Sequence, residues 1–298
     1  MEPISVAVSR GGIIEALHRV HAVAFKDGEV VAAAGDTGLV TFLRSAAKPF
    51  QALELVRARD DLEETDVAIA SASHRAEPAQ IEAVRALLAK AGVTEDSLEC
   101  GPQPGRPAGP IYHNCSGKHA GMLAACTARG WPTEGYRLPD HPVQQANQAD
   151  VAAATGVSED ELPAATDGCG VVTWALQLER IAAMFSRLEQ TAEGARIAAT
   201  MRARPELIGG EGSVDTELMR LLPGLAAKGG AEGLLCAAAP DGLGVVLKVE
   251  DGSFRAIKPA LASFLEPLGH PLPTFVREPV LNSRGEDVGE IALTAKKT

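Results

Sequence analysis

Near the N-terminus apolar and polar residues alternate with the period of a strand. Residues 4–8 alternate, Arg10-Gly11-Gly12 reads as a turn, and residues 20–25 and 30–34 flank Lys26-Asp27-Gly28-Glu29, a hairpin signal. From 46 to 59 the spacing becomes helical, with Phe50, Leu53 and Val56 in phase and Pro49 in the first turn, where its missing N–H costs nothing. Residues 67–71 form a short apolar run that reads as a strand running into Ser71-Ala72-Ser73-His74, and 78–91 reads as an amphipathic helix closed by Gly92. Residues 100–114 are dense in Gly and Pro and read as a loop. Helical periodicity then dominates, over about 117–129, 142–154, 172–188, 191–203 and 214–222. Alternation returns over 231–250, where residues 232–239 and 243–249 flank Pro240-Asp241-Gly242; 256–268 reads as a helix and 288–293 as a last strand.

Strands at both ends and helices between them predict an α+β fold in a single domain over 1–298. One antiparallel sheet would be assembled from about 1–100 and 225–298, beside a mainly helical region at about 114–222. A cleft between the two parts is the natural place for a binding site. No internal repeat or low-complexity linker interrupts this plan.

Composition removes several functional classes. A chain of 298 residues with 46% hydrophobic and 22% charged residues buries a sizeable core. A net charge of −11 and only 4% aromatics argue against nucleic acid as a partner, because that binding needs clustered cations and stacking surfaces. No apolar run approaches the ~18–20 residues of a membrane span, and the N-terminus lacks a signal-peptide pattern. Cys100, Cys115, Cys126, Cys169 and Cys236 are odd in number and irregular in spacing, with no CxxC pair. A soluble cytoplasmic protein is therefore expected, with neither nucleic acid nor membrane as partner.

Several motifs bear chemistry. In Arg44-Ser45-Ala46-Ala47-Lys48-Pro49-Phe50 a Ser precedes a Lys by three positions at a helix start, so the two share a face. A Ser hydroxyl becomes a nucleophile when a base takes its proton, and a Lys is that base only when burial or neighbouring cations lower its pKa. The plain alternative is a capping Ser and a solvated Lys. Ser73 could relay protons to a leaving group or simply cap a turn, and His74 could be an acid–base group or a structural His. Lys228-Gly229-Gly230, leading into an apolar strand, offers positive charge and a close-approach edge, or an ordinary Gly-rich turn. S-x-x-K, a later Ser and a late K-G-G follow the order found in Ser–Lys acyl-transfer enzymes, although the S-D-N element of β-lactamases is missing. His113-Asn114-Cys115-Ser116-Gly117-Lys118-His119 fails as a phosphate loop, since His119 follows Lys118 where Ser or Thr is required. Cys169, in Asp167-Gly168-Cys169-Gly170 ahead of an expected helix, could carry a lowered pKa, or be a small buried hydrophobe. Spacing alone gives no zinc pattern.

Taken together, these stretches resemble the bacterial L-asparaginase II family, serine-type enzymes related in fold to serine β-lactamases, penicillin-binding proteins and serine glutaminases. The matching segments are Arg10-Gly11-Gly12 with Glu15-Ala16-Leu17-His18, RSAAKPFQ at 44–51, Ser73-His74, HNCSGKHAGM at 113–122, DGCG at 167–170, KGGAEG at 228–233, Lys248-Val249-Glu250-Asp251-Gly252 and Asn282-Ser283-Arg284-Gly285. They run in family order over essentially the whole chain. Ala16 stands where the family leads one to expect Ser, and Arg75-Ala76 where it leads one to expect smaller residues.

The resemblance implies hydrolysis of L-asparagine to L-aspartate and ammonia, with serine glutaminase or a silent amino-acid-binding protein as alternatives. It implies Ser45, Lys48, Ser73 and Lys248 as catalytic residues, with Lys228 the competing choice for the second Lys. Arg44, His74, His119, Asp167, Lys228 and Gly229 are expected at the substrate. Cys115, Lys118 and Cys169 match positions associated with Zn²⁺ in zinc-binding members, where the ion would support substrate binding. A homodimer and no organic cofactor are also what the family implies.

Overall fold

The computed structural model describes residues 1–294. The strands are β1 (Ile4–Arg10), β2 (Ile13–Lys26), β3 (Glu29–Ala34), β4 (Val40–Phe42), β5 (Ala164–Thr166), β6 (Val172–Gln177), β7 (Ala226–Gly230), β8 (Leu234–Ala238), β9 (Gly244–Val249), β10 (Arg277–Leu281) and β11 (Asp287–Leu293). Eight of them form one sheet in the order β10-β11-β1-β2-β9-β8-β7, with β3 also paired to β2, and all pairings are antiparallel. Both ends of the chain thus build the sheet, and the α+β expectation holds. Asp27 (φ 53°) and Gly28 (φ 88°) both take the left-handed geometry of the expected β2–β3 hairpin.

Strands β7, β8 and β9 are buried at every position, so both of their faces are covered. Helix Leu178–Ser186 packs across β2 and β9. That approach requires Gly244, where an added Cβ would lie 2.1 Å from Ala182 O. Helix Ile257–Leu265 packs on β1, β10 and β11. Helices Glu64–Ala70, Pro78–Ala91 and Ser116–Arg129 pack together, and the long helix Ser116–Arg129 runs through the interior, exposing little beyond its last turn. No helix of the described residues is long and apolar enough to cross a membrane.

Three local expectations change, and one strand had no expectation. Residues 67–71 belong to helix Glu64–Ala70 rather than a strand: Glu63 and Asp66 form a reciprocal capping box ahead of the apolar run, and a short buried run has no period of its own to oppose them. Residues 172–177 are β6, and the helix starts only at Leu178; the buried Val172-Thr173-Trp174 stretch suits a strand covered on both sides. The helix expected over 46–59 is broken into a 3₁₀ turn, Arg44–Ala47, and helices Lys48–Gln51 and Leu53–Ala58. Strand β10, which makes a hairpin with β11, carries no clear alternation signal, because Pro279 interrupts it near the sheet edge.

Candidate active site

The 3₁₀ turn Arg44–Ala47 lies where the helical part meets the edge strand β7. Leu43 N donates to Trp174 O at 2.9 Å and Arg44 N to Thr173 Oγ1 at 3.0 Å, which pins the turn to β6. On its other side a Cβ on Gly230 would lie 2.7 Å from Leu43 O, so the glycine lets β7 pass against the turn. Arg44 sits at φ 48°, a left-handed conformation that is costly for a residue with a side chain and that clusters at functional sites. Ser45 follows directly. It lines an open cleft of about 430 Å³ with Ser73, Asn114, Asp215, Lys228, Gly229, Gly230, Ala231 and two arginines.

Lys48, three positions after Ser45, is fully buried, and among the described residues its Nζ has no recorded hydrogen bond to Ser45. Its Nζ lies 2.6 Å from Ala72 O, 2.9 Å from Ser73 Oγ and 3.3 Å from Asn114 O. Burial lowers its pKa; the nearby Cys115 opposes this and the Lys228 and Lys118 charges reinforce it, giving about 8. A neutral amine that uses two N–H groups on the two carbonyls has its lone pair left to accept from the Ser73 hydroxyl. Ser73 is held by its backbone N–H, which donates to Ile208 O at 2.8 Å.

Lys228, on β7, is fully buried; its Nζ lies 3.3 Å from Asp215 Oδ2 and 2.9 Å from Gly229 O. Gly229 N donates to the same carboxylate at 2.8 Å, away from β8, and Ala231 follows in the turn after the strand. Among the described residues neither Ser45 N nor Ala231 N has a recorded acceptor.

Of the two candidate second lysines, Lys228 and not Lys248 reaches the cleft. Lys248 lies on β9, opposite Leu234 and His21, and its Nζ donates to Val249 O. Burial lowers its pKa, while the surrounding Glu232, Asp251 and Glu250 act to raise it. It is a structural cation of the sheet, separated from Ser45 by two strands.

His74 also turns away from the cleft. Its Nε2 lies 2.8 Å from Ser116 Oγ, whose hydroxyl donates to Ile111 O at 2.7 Å, and its Nδ1 accepts from Ala76 N at 3.1 Å. Burial, then the Lys48 and Arg106 charges, push its pKa down to about 3, so it is a neutral ring with both nitrogens satisfied.

A second cluster adjoins the first through Asn114. Cys115 and Cys169 are buried free thiols: Cys115 Sγ donates to Asn114 Oδ1 at 3.4 Å, Cys169 Sγ lies 3.9 Å from Asp167 Oδ2, and Lys118 Nζ donates to Cys169 Sγ at 3.1 Å. The Cys169 thiol, acting with the Lys48 and Lys118 charges against burial, holds the Cys115 thiol well below its ordinary range. Burial opposes charge on Lys118, but the Cys169, Cys115 and Asp167 partners prevail and raise its pKa. Asp167 is bonded to Arg44, which links this cluster back to the Ser45 turn. Cys169 precedes a strand rather than a helix, so no helix N-terminus acts on it. His119 Nδ1 lies 2.7 Å from Tyr136 Oη, and its buried Nε2 has no hydrogen-bond partner among the described residues. Burial lowers its pKa to about 4. Among the described residues no three His, Cys, Asp or Glu side chains come together as a metal-binding group. A zinc ion here would need Lys118 as third donor beside the two sulfurs, and of the three groups only Lys118 and Cys169 are in recorded contact.

The expected residues therefore divide. Ser45, Ser73, Lys228 and Gly229 line the cleft with Lys48 beneath it, and Cys115, Lys118, Cys169, Asp167 and Arg44 form the adjoining network. His74 and Lys248 stand apart. Sequence reasoning missed Asp215, Asn114, Arg106 and Ala231. Asn114 and Ala231 lay inside quoted motifs; Asp215 and Arg106 gave no local signal.

Among curated proteins no match is found. Among solved structures, a crystal structure of Mglu aligns with TM-score 0.51 at 14% identity, over 86% of this chain and 68% of that one. A putative beta-lactamase from Bacteroides dorei DSM 17855 aligns with TM-score 0.44 at 13% identity, over 83% of this chain and 93% of that one. A Bacillus glutaminase aligns with TM-score 0.42 at 14% identity, over 85% and 92%. At such identities the likeness to Mglu speaks to the fold alone. The family described as L-asparaginase II matches residues 6–293, nearly the full length; the chain belongs to that family of amidohydrolases.

Proposed function

We propose that this chain hydrolyses the side-chain amide of L-asparagine through an acyl-enzyme on Ser45. The observation that supports this most is the buried Lys48 amine three positions after Ser45, bonded to Ser73 Oγ, with its N–H groups engaged by Ala72 O and Asn114 O and its pKa brought down to about 8. In this reading neutral Lys48 takes the Ser45 proton, and the Ser45 oxygen attacks the carboxamide carbon. The amides of Ser45 and Ala231 receive the developing oxyanion. Ser73, bonded to Lys48, passes the proton to the departing ammonia, and water then releases aspartate by the same route reversed. Lys228, fixed by Asp215, supplies positive charge at the cleft wall in the role first expected of Lys248.

Ammonia release from asparagine and glutamine tests the reading. We expect kcat/KM to favour asparagine; one methylene is worth only ~1–3 kcal/mol in a pocket, so glutamine should be a poor substrate rather than an inert one. A ratio below one makes the chain a glutaminase, and no release from either amide sinks the reading. The same assay reads Lys48. Its working form is the neutral amine, whose fraction grows as pH rises through about 8. The kcat/KM profile should therefore climb about tenfold per pH unit below that point and level off above it. A flat profile between pH 6 and 9 would exclude Lys48 as the base.

Zn²⁺ held by Cys115, Lys118 and Cys169 is part of the proposal. When bound it would supply a Lewis-acidic contact that orients the substrate, lowering KM more than it raises kcat. Lys118 must lose a proton to become a donor, and its raised pKa makes this costly, so occupancy should fall as pH drops. Elemental analysis of protein purified without chelator should give about one zinc per chain. Unchanged stoichiometry in Cys115→Ser/Cys169→Ser protein would place any zinc elsewhere.

A further inference from the structure

Three cations around the cleft already have partners: Lys228 pairs with Asp215, Arg44 with Asp167, and Lys118 with Cys169. Arg75 and Arg106 differ. Both line the cleft with Ser45 and Ser73, and among the described residues neither has a carboxylate at salt-bridge distance. Arg75 comes two residues after Ser73, and its stem lies along the loop at 209–212, where a Cβ on Gly210 would be 3.2 Å from Arg75 Cδ. Its Nη1 donates to Glu211 O. Arg106 Nη1 donates to His74 O and to Tyr112 O, each at 3.1 Å.

One corner of each guanidinium is thus tied to backbone carbonyls, while the Nε and Nη2 groups of both have no recorded acceptor among the described residues. That edge is the fork that takes a carboxylate through two parallel N–H bonds. Burial, and then the Arg75 charge, lower the Arg106 pKa, while Cys115 opposes them. The cleft therefore carries two arginines beside Ser45 with no recorded salt bridge among the described residues, with Glu77 close to the Arg75 stem at Gly210 but not paired with it.

We propose that Arg75 and Arg106 form a carboxylate-binding subsite in the Ser45 cleft, which selects amides whose acyl part ends in a free carboxylate. The proposal rests on the amidohydrolase reading above and names the part of the substrate this corner recognises. The two guanidiniums grip the end remote from the scissile amide and set its position against Ser45. They touch no reacting atom, so their contribution is to binding.

The test compares asparagine with asparagine capped as its α-N-methylamide, from which ammonia can come only from the side chain. In Arg75→Ala and in Arg106→Ala, kcat/KM for asparagine should fall at least tenfold, almost wholly through KM, while the capped substrate changes less than twofold. Equal losses on both substrates would overturn the subsite. Arg106 also ties two carbonyls, so Arg106→Lys serves as its folded counterpart and should recover part of the loss on asparagine alone. Calorimetric titration of Ser45→Ala protein with succinate separates this proposal from the activity. Succinate binding weakened at least tenfold by adding Arg75→Ala upholds the subsite even if no amide is turned over, an outcome that would remove only the amidohydrolase reading. Succinate binding indifferent to Arg75 and Arg106 would overturn the subsite whatever the enzyme hydrolyses.

Discussion

Replacing Ser45 with alanine is expected to cut asparagine turnover by roughly 10⁴- to 10⁶-fold, the scale on which a hydrolase loses rate with its nucleophile. The protein should stay folded. Ser45 is only half-buried, and among the described residues its hydroxyl makes no recorded hydrogen bond, so its loss should change stability by less than about 0.5 kcal/mol. The turn that carries it is held instead by Leu43 N on Trp174 O and Arg44 N on Thr173 Oγ1, neither of which involves the Ser45 side chain. Ammonia release and thermal unfolding of the same preparation read the two halves of this expectation. A near wild-type rate in well-folded Ser45→Ala protein would remove the nucleophile assignment.

Gly117→Ala should destabilise the chain by about 3 kcal/mol and lower activity as well. The added methyl would sit 2.1 Å from Ile69 O and 2.9 Å from Ile69 Cγ1, and neither backbone nor packed core can yield by that much without helix Ser116–Arg129 moving off helix Glu64–Ala70. Those two helices begin and end at the groups that hold Lys48: Asn114 O lies just before the first, and Ala72 O and Ser73 Oγ just after the second. Separating them loosens the cradle of the base. Urea unfolding together with kcat measures both effects. A midpoint and slope equal to wild type would show that the contact relaxes freely and that the packing argument is wrong.

Gly117 also shows where sequence reading stops. In HNCSGKHAGM it suggested a phosphate loop and failed; the structure gives it a packing role that depends on Ile69, far away in sequence. The same division holds elsewhere. The Asp27-Gly28 hairpin and the Gly92 stop of helix Pro78–Ala91 were legible because they are local chemistry. The ends-joined sheet was legible because alternation reappears late in the chain. Strand β6 was misread as helix because a short run buried on both sides has no polar face to set its period. At the site, the S-x-x-K spacing located Ser45 and Lys48. The choice between Lys228 and Lys248 needed the register of β7, β8 and β9, which two apolar stretches of similar composition do not encode. His74 looked reactive beside Ser73, but the Ser116 and Ala76 contacts that occupy it come from the fold.

Building one sheet from both chain ends has a consequence for the order of assembly. Strand β2 must wait for β9, and their junction is sealed by contacts such as His18 Nδ1 to Asp251 Oδ2, 233 positions apart. Closing so long a loop costs entropy before any contact repays it, and topologies rich in such distant pairings fold slowly. During synthesis from the N-terminus, the Ser45 turn, Ser73 and the thiol cluster are made well before Lys228 and Ala231. The nascent chain therefore holds Ser45 and Lys48 with one wall of the cleft missing. In the proposed mechanism the amide and the positive charge contributed from β7 arrive only when the last third of the polypeptide has docked.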